Sequence, residues 1–167
     1  MQKFDDTFDD KDLRILDALQ RDATTPAEVL GAEIGLSATS VQRRTKRLQA
    51  DKVILRQTCQ LSPEKLGFGM RCIVGVELDV EQADVLAQFR ALLAAEPRVQ
   101  QSYYVTGASD FVLFLLVRDM QDFEALTQRL FFGNRFVRRF TTSVVMSVHK
   151  DGADVPVLSA ASDPNVK

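Results

Sequence analysis

From Gly35 to Ala50 the chain reads G-L-S-A-T-S-V-Q-R-R-T-K-R-L-Q-A, the stretch whose residue types carry the plainest chemistry. Arg43, Arg44, Lys46 and Arg47 supply four cations with no acid among them. Ser37, Thr39, Ser40 and Gln42 add hydroxyl and carboxamide groups. Such a set suits the major groove of double-stranded DNA, where cations meet phosphates while Arg, Gln, Ser and Thr read base edges. An ordinary solvated helix interleaves Glu with its Lys and Arg instead. Just beyond, Lys52 and Arg56 place two more positive groups beside the same surface.

These side chains act together only if a helix aligns them. Ser37 is a suitable N-cap, and Ala38, Val41, Thr45 and Leu48 follow at helical spacing to form an apolar keel. Arg43 then stands at the centre of the opposite face, flanked by Thr39, Ser40, Lys46 and Arg47, with Gln42 and Arg44 at its edges. Gly35 and Leu36 join this helix to an earlier one, for which Thr25 at N-cap, Pro26 at N1 and Glu28 at N3 predict a capping box. A short helix, a glycine turn and a basic second helix make a helix-turn-helix. A third helix precedes them, with Asp9 as N-cap, Asp12 at N3, Phe8 and Leu13 as a staple, and a break at Asp22-Ala23-Thr24. Val53-Ile54-Leu55 and Arg56–Leu61 read as short strands, a wing beside the DNA-contacting helix.

The charge is local. The 167 residues carry a net charge of −2, yet residues 1–36 hold four basic and nine acidic groups, and residues 37–60 hold six and one. A field confined to one helix and its wing argues for directed contact with DNA rather than wholesale coating. Hydrophobic content of 46% with 26% charged residues is globular.

Other chemistries find little material. His149 is the only histidine, which leaves no triad and no multi-histidine metal site, and it reads as a strand-end residue. Cys59 and Cys72 lack C-x-x-C spacing and are expected as reduced thiols. No cofactor is implied. Met1–Asp10 is polar and acidic, without a leader's apolar core, and the longest apolar run, Phe111–Val117, is too short for a bilayer. A cytoplasmic protein with no membrane partner is expected.

The second half alternates differently. Ser62–Gly67 is turn-like, so the expected plan is a DNA-binding domain over 1–61, a linker over 62–68, a second domain over 69–150 and a frayed tail over 151–167. Met70–Leu78 alternates as a strand, Glu81–Ala95 is helical, Val99–Thr106 and Phe111–Arg118 are strands around a Gly107-Ala108-Ser109-Asp110 turn. Asp119 to about Phe131 is a second helix and Thr141–His149 a last strand, preceded by a basic turn with Arg135, Arg138 and Arg139. The order β-α-β-β-α-β predicts an α+β chain: a three-helix winged helix-turn-helix followed by a ferredoxin-like domain with both helices on one sheet face.

With both halves placed, the chain resembles the Lrp/AsnC family of bacterial and archaeal transcription regulators, also called feast/famine regulatory proteins. The resemblance runs from about Phe8 to about Lys150. Asp12-Leu13-Arg14-Ile15-Leu16 matches the family's D-x-x-I/L-L start, Gly35-Leu36-Ser37 its G-L-S turn, and Arg47-Leu48 the R-L closing the basic helix. Gly107–Asp110 matches the family's G-x-x-D turn, followed by an aromatic, Phe111. No single motif decides this; order and spacing together do.

The resemblance implies double-stranded DNA as one partner and further copies of the chain as another, as dimers through the C-terminal sheets that gather into tetramers or octamers. It also implies a small effector, commonly an amino acid, held between C-terminal domains near Gly107, Ala108, Ser109 and Asp110. The chain departs from the pattern in several places. Lys52 and Arg56 replace frequent wing glycines, Gly31 replaces a helix-former, and Arg135-Phe136-Val137 replaces Pro-Gly-Val. Ala108 stands where an acid is frequent and Phe111 where a tyrosine is, which favours a more apolar ligand or none. The rival reading is an enzyme on a ferredoxin-like scaffold, with the helices as an interaction module. It needs a convergent nucleophile, base and oxyanion donors, and no such set stands in the sequence.

Overall fold

The computed structural model describes residues 8–79, 82–152 and 154–158. They form two compact units, one reaching to Gln60 and including the described residues after Lys150, the other spanning Leu61–Lys150.

The first unit is helical. α1 (Asp10–Arg21) opens with the capping box expected of it: the Asp12 N–H donates to Asp9 Oδ1 at 2.8 Å, and the Asp9 N–H donates back to Asp12 Oδ2 at 3.3 Å. α2 (Ala27–Ile34) starts differently from expectation. Pro26, not Thr25, is its N-cap, and no side chain caps it. The Thr25 hydroxyl is drawn backwards, donating to the Asp22 carbonyl at 2.9 Å, because Asp22 has already organised the turn through Thr24. α3 (Ala38–Ala50) is capped by Ser37, whose hydroxyl oxygen accepts from the Ser40 N–H at 3.2 Å. Val41 and Leu48 of its keel are buried with Ile15, Leu30 and Ile34, while Ala38 and Thr45 are half-buried. Each fully buried Leu or Ile contributes about 1.5–3 kcal/mol to holding the three helices together.

The wing does not form. Beyond α3 the chain shows turns and bends, then irregular backbone to Gln60, and no strand. The Val53 and Ile54 N–H groups both donate to the Leu48 carbonyl, so the chain folds back on the end of α3. Leu55 and Leu61 are then left largely exposed, and a hairpin with no apolar face to bury is marginal.

The second unit holds β1 (Met70–Leu78), α4 (Ala83–Ala94), β2 (Val99–Tyr104), β3 (Phe111–Val117), α5 (Met120–Thr127) and β4 (Val137–Val144). The sheet is antiparallel, in the order β2-β3-β1-β4. Alternation decides the faces. Cys72, Val74, Val76 and Leu78 of β1 and Phe111, Leu113, Leu115 and Val117 of β3 are buried with Phe89, Leu93, Leu126 and Leu130 of the helical layer. The opposite face presents Ile73, Val112, Phe114 and Leu116, all half-buried.

Two bounds shift. The first helix here begins at Ala83; Glu81, its expected start, lies outside the described residues. The last strand begins at Val137 and ends at Val144, not over Thr141–His149, because its register is set by β1: Leu78 meets Val137 and Cys72 meets Val144. Arg138 and Arg139 therefore lie within β4 rather than in a turn, and Arg139 Nη2 donates to Glu77 Oε1 across the sheet at 2.5 Å.

Candidate nucleic-acid interface

Two stripes of polar residues run along α3, and the structure treats them differently. Thr39, Arg43 and Lys46 lie four and three residues apart on the face opposite the keel, all exposed, with Gln42 beside them. The side chains of Arg43 and Lys46 have no hydrogen-bond or ion-pair partner among the described residues, nor do those of Lys52 and Arg56 further on.

The second stripe, Ser40, Arg44 and Arg47, faces the start of α1. Arg44 Nη1 donates to Asp9 Oδ1 and Oδ2 at 2.9 and 2.8 Å and to Asp12 Oδ1 at 2.8 Å. Arg47 Nη2 donates to Asp12 Oδ2 at 2.5 Å. The Asp12 side chain is 2% exposed and Arg44's is 21%. Asp12 and then Asp9 stabilise the Arg44 charge and push its pKa further up. The Asp12 N–H, and after it the Arg44 guanidinium, hold the Asp9 carboxyl below its ordinary value against the opposing effect of burial.

Four of the cations in this region thus stand free, and two are committed to the helix bundle. Sequence reasoning pooled all of them, and missed Asp9 and Asp12 as partners. A signal was there to find: the acids and the arginines are each spaced three apart, so both pairs lie along one helical face. Ser37 and Ser40 are likewise taken, bonded to each other through their hydroxyls at 2.9 Å.

The turn before α3 is compact. Gly35 takes φ +69, the left-handed conformation that ends α2, and Lys11 Nζ donates to the Ile34 carbonyl beside it. Gly31 is required by space: a Cβ there would lie 2.5 Å from the Leu36 carbonyl oxygen. Lys52 is the one non-glycine residue with positive φ, at +59, among those described.

The Gly107–Asp110 turn sits in the second unit, and its residues part company. Gly107 and Ala108 are exposed, while Ser109 and Asp110 are half-buried. Asp110 is bonded into the sheet: its N–H donates to the Val76 carbonyl at 2.9 Å, and its Oδ2 accepts from the Leu78 N–H at 2.7 Å. Ser109 Oγ fills the space over Gly75, where a Cβ would approach it to 2.6 Å, with Thr141 Oγ1 at 3.1 Å. Among the described residues no group of three or more His, Cys, Asp or Glu could hold a metal ion, and no helix is long and apolar enough to cross a membrane.

A family model of the AsnC-type helix-turn-helix domain matches residues 8–49, and one of the Lrp/AsnC ligand binding domain matches residues 71–155. The chain belongs to the Lrp/AsnC family. An uncharacterised HTH-type transcriptional regulator of Sinorhizobium fredii is 35% identical over 157 residues, covering 94% of this chain and 93% of its own. The glutamate uptake regulatory protein of Zymomonas mobilis is 34% identical over 123 residues, 74% of this chain and 75% of that one. Among solved structures, an AsnC family transcriptional regulator from Agrobacterium tumefaciens superposes with a TM-score of 0.86 at 26% identity, over 91% of this chain and 99% of its own. A Neisseria meningitidis transcriptional regulator solved as an L-Met complex gives 0.87 at 24% identity, over 92% and 99%, and shows the shared fold. This Lrp/AsnC protein is accordingly a transcription regulator with a DNA-binding helix-turn-helix unit and a ligand-binding domain.

Proposed function

We propose that this chain is a sequence-specific, effector-modulated regulator that reads double-stranded DNA with α3 and works as an oligomer in the cytoplasm, without catalysis. One observation carries the DNA reading: Thr39, Gln42, Arg43 and Lys46 form an exposed stripe whose two cations have no partner among the described residues. Desolvating such cations against phosphate breaks no ion pair first. Lys52 and Arg56 extend the positive surface, Arg47 can be shared because Arg44 also holds Asp12, and Ser37 and Ser40 stand at the helix start.

Assembly is supported by the half-buried apolar set Ile73, Val112, Phe114 and Leu116 on the sheet face away from α4 and α5, a surface for a second copy. The effector reading draws on the hairpin turn beside that face and on the relatives: one was solved with L-Met, another is named for glutamate uptake. An amino acid or related metabolite follows, its ammonium toward Asp110. The test is a gel shift on the chain's own upstream DNA with random DNA as competitor, followed by footprinting. Preferential retention of the upstream fragment is expected; equal competition by random DNA would overturn sequence-specific binding.

A further inference from the structure

The C-terminal segment Asp154–Leu158, expected to fray, is seated on the DNA-binding unit. Gln20, near the end of α1, grips Val155 with both ends of its carboxamide. Its Nε2 donates to the Val155 carbonyl at 2.9 Å, and the Val155 N–H donates to its Oε1 at 3.0 Å. A groove of about 800 Å³ runs beside this contact, lined by Leu16 and Leu19 of α1, Val53 and Ile54 beyond α3, and Val155 and Val157 of the tail. Arg56–Gln60, the segment by which the chain leaves the first unit, line the same groove.

This gives the DNA-binding unit two tethers to the sheet unit: the covalent chain leaving after Gln60, and the stretch after Lys150, whose far end is held by the Gln20 clamp. A single flexible connection lets a module sample a wide range of positions. A second one, held at Val155 by Gln20, closes a loop and removes much of that freedom. A one-residue backbone clamp is well suited to the task, because it holds the strap without demanding much of its side chains.

We propose that the groove between α1 and residues 53–60 is a docking surface for this chain's own Asp154–Leu158, and that the docked strap fixes how far each DNA-binding unit can reach. In an oligomer the protein then measures the separation of paired half-sites. This rests on the DNA-binding oligomer proposed above, and the test separates the two.

The 167-residue chain is compared with Gln20→Ala, with Val155→Pro, which removes the clamped N–H, and with a chain ending at Lys150. Without DNA, amide exchange at Val155 is expected to be slowed in the wild type and at least about tenfold faster in Gln20→Ala. On footprinted half-sites, inserting about half a helical turn between them should weaken the wild type about tenfold and the three variants by less than about threefold, with single half-site affinity unchanged. A Val155 amide that exchanges in the wild type as in a free peptide would overturn docking. An equal spacing penalty in wild type and variants would overturn the measuring role. Wild type that binds no half-site at all would sink the DNA reading and the measuring role with it, while slowed exchange at Val155 would still establish the strap.

Discussion

Arg44 of α3 is bound to Asp12, the N3 residue of α1, at 2.8 Å, and Asp12 is almost wholly buried. The carboxylate that starts one helix thereby sets the rotation of the other. Asp12 also accepts from the Asp9 N–H and from Arg47, so its charge is compensated by two guanidinium groups. Arg44→Met should destabilise the first unit by about 1.5–3 kcal/mol, the worth of hydrogen bonds to a charged group. Urea melts of the full chain check it. The loss should shrink in an Asp12→Asn background, and a double-mutant cycle showing no coupling would dismiss the clasp.

Arg43 gives the contrasting expectation. It holds nothing together in the described structure, so Arg43→Ala should leave unfolding stability within about 0.5 kcal/mol of wild type. Binding to the specific site should weaken by about 1–3 kcal/mol if the guanidinium reads a base pair. Titrations at several salt concentrations separate the two modes of contact. An equal loss on random DNA, with a shallower salt dependence, would assign Arg43 to a phosphate instead.

What the sequence disclosed, and what it hid, follows from where the deciding partners lie. Met70–Leu78 was legible to the residue because it lies inside the sheet, the helical layer buries one of its faces, and its side chains alternate. The cap of α3 was legible because Ser37 acts on its own helix. β4 was misplaced because Arg138 and Arg139 interrupt its apolar pattern, and only pairing with β1 shows that the strand starts at Val137. The wing was expected from the Val53-Ile54-Leu55 and Arg56–Leu61 runs, but Val53 and Ile54 satisfy their amides on Leu48 instead. In the candidate interface, residue types marked the helix but could not apportion its cations. That needed Asp9 and Asp12, 35 and 32 positions away from Arg44.

Lys52 carries a backbone cost that its neighbours impose. Its φ of +59 lies in the left-handed region, where an L-residue pays about 1–2 kcal/mol and glycine pays little. Lys52→Gly should therefore raise unfolding stability by about 0.5–1 kcal/mol, after allowing for the entropy glycine loses on folding. The same variant should weaken DNA binding modestly at low salt, since it removes an exposed cation. Thermal melts and salt-dependent titrations on one preparation measure both signs. A destabilised Lys52→Gly protein would contradict the strain argument.

Acid should loosen both units through identifiable carboxylates. Asp9 is held below its ordinary pKa by the Asp12 N–H and Arg44, and Asp122 by the Arg118 N–H and then Arg98. A carboxyl whose folded pKa is depressed stabilises the fold fully above its unfolded value, and that contribution fades as pH falls from there through the folded value. Asp9→Asn and Asp122→Asn should each be less stable than wild type near neutrality. The gap should close below the ordinary aspartate value of 3.8. Melts across that window test the sign; a gap that widens on acidification would refute it.

Asp110 has a structural role and a proposed one in sensing, and the two require different substitutions. Its Oδ2 already accepts from the Leu78 N–H at 2.7 Å, closing the end of β1 where the register with β4 shifts. Asp110→Ala would orphan that amide at a cost of about 1–3 kcal/mol, so a lost effector response in that variant could come from a loosened sheet. Asp110→Asn keeps an oxygen able to accept from Leu78 and removes only the charge. If Asp110 receives the ammonium of an amino acid, the bond is worth about 1.5–3 kcal/mol. Asp110→Asn should then bind the effector at least about tenfold more weakly while its melting behaviour and effector-free DNA affinity stay near wild type. An effector changes DNA binding only through a difference in affinity between two assemblies, so sedimentation should show the oligomer shift in wild type and not in Asp110→Asn. Calorimetry against the twenty amino acids supplies the affinities. Binding that is unchanged in Asp110→Asn would move the site elsewhere, and no heat with any of the twenty would end the amino-acid reading.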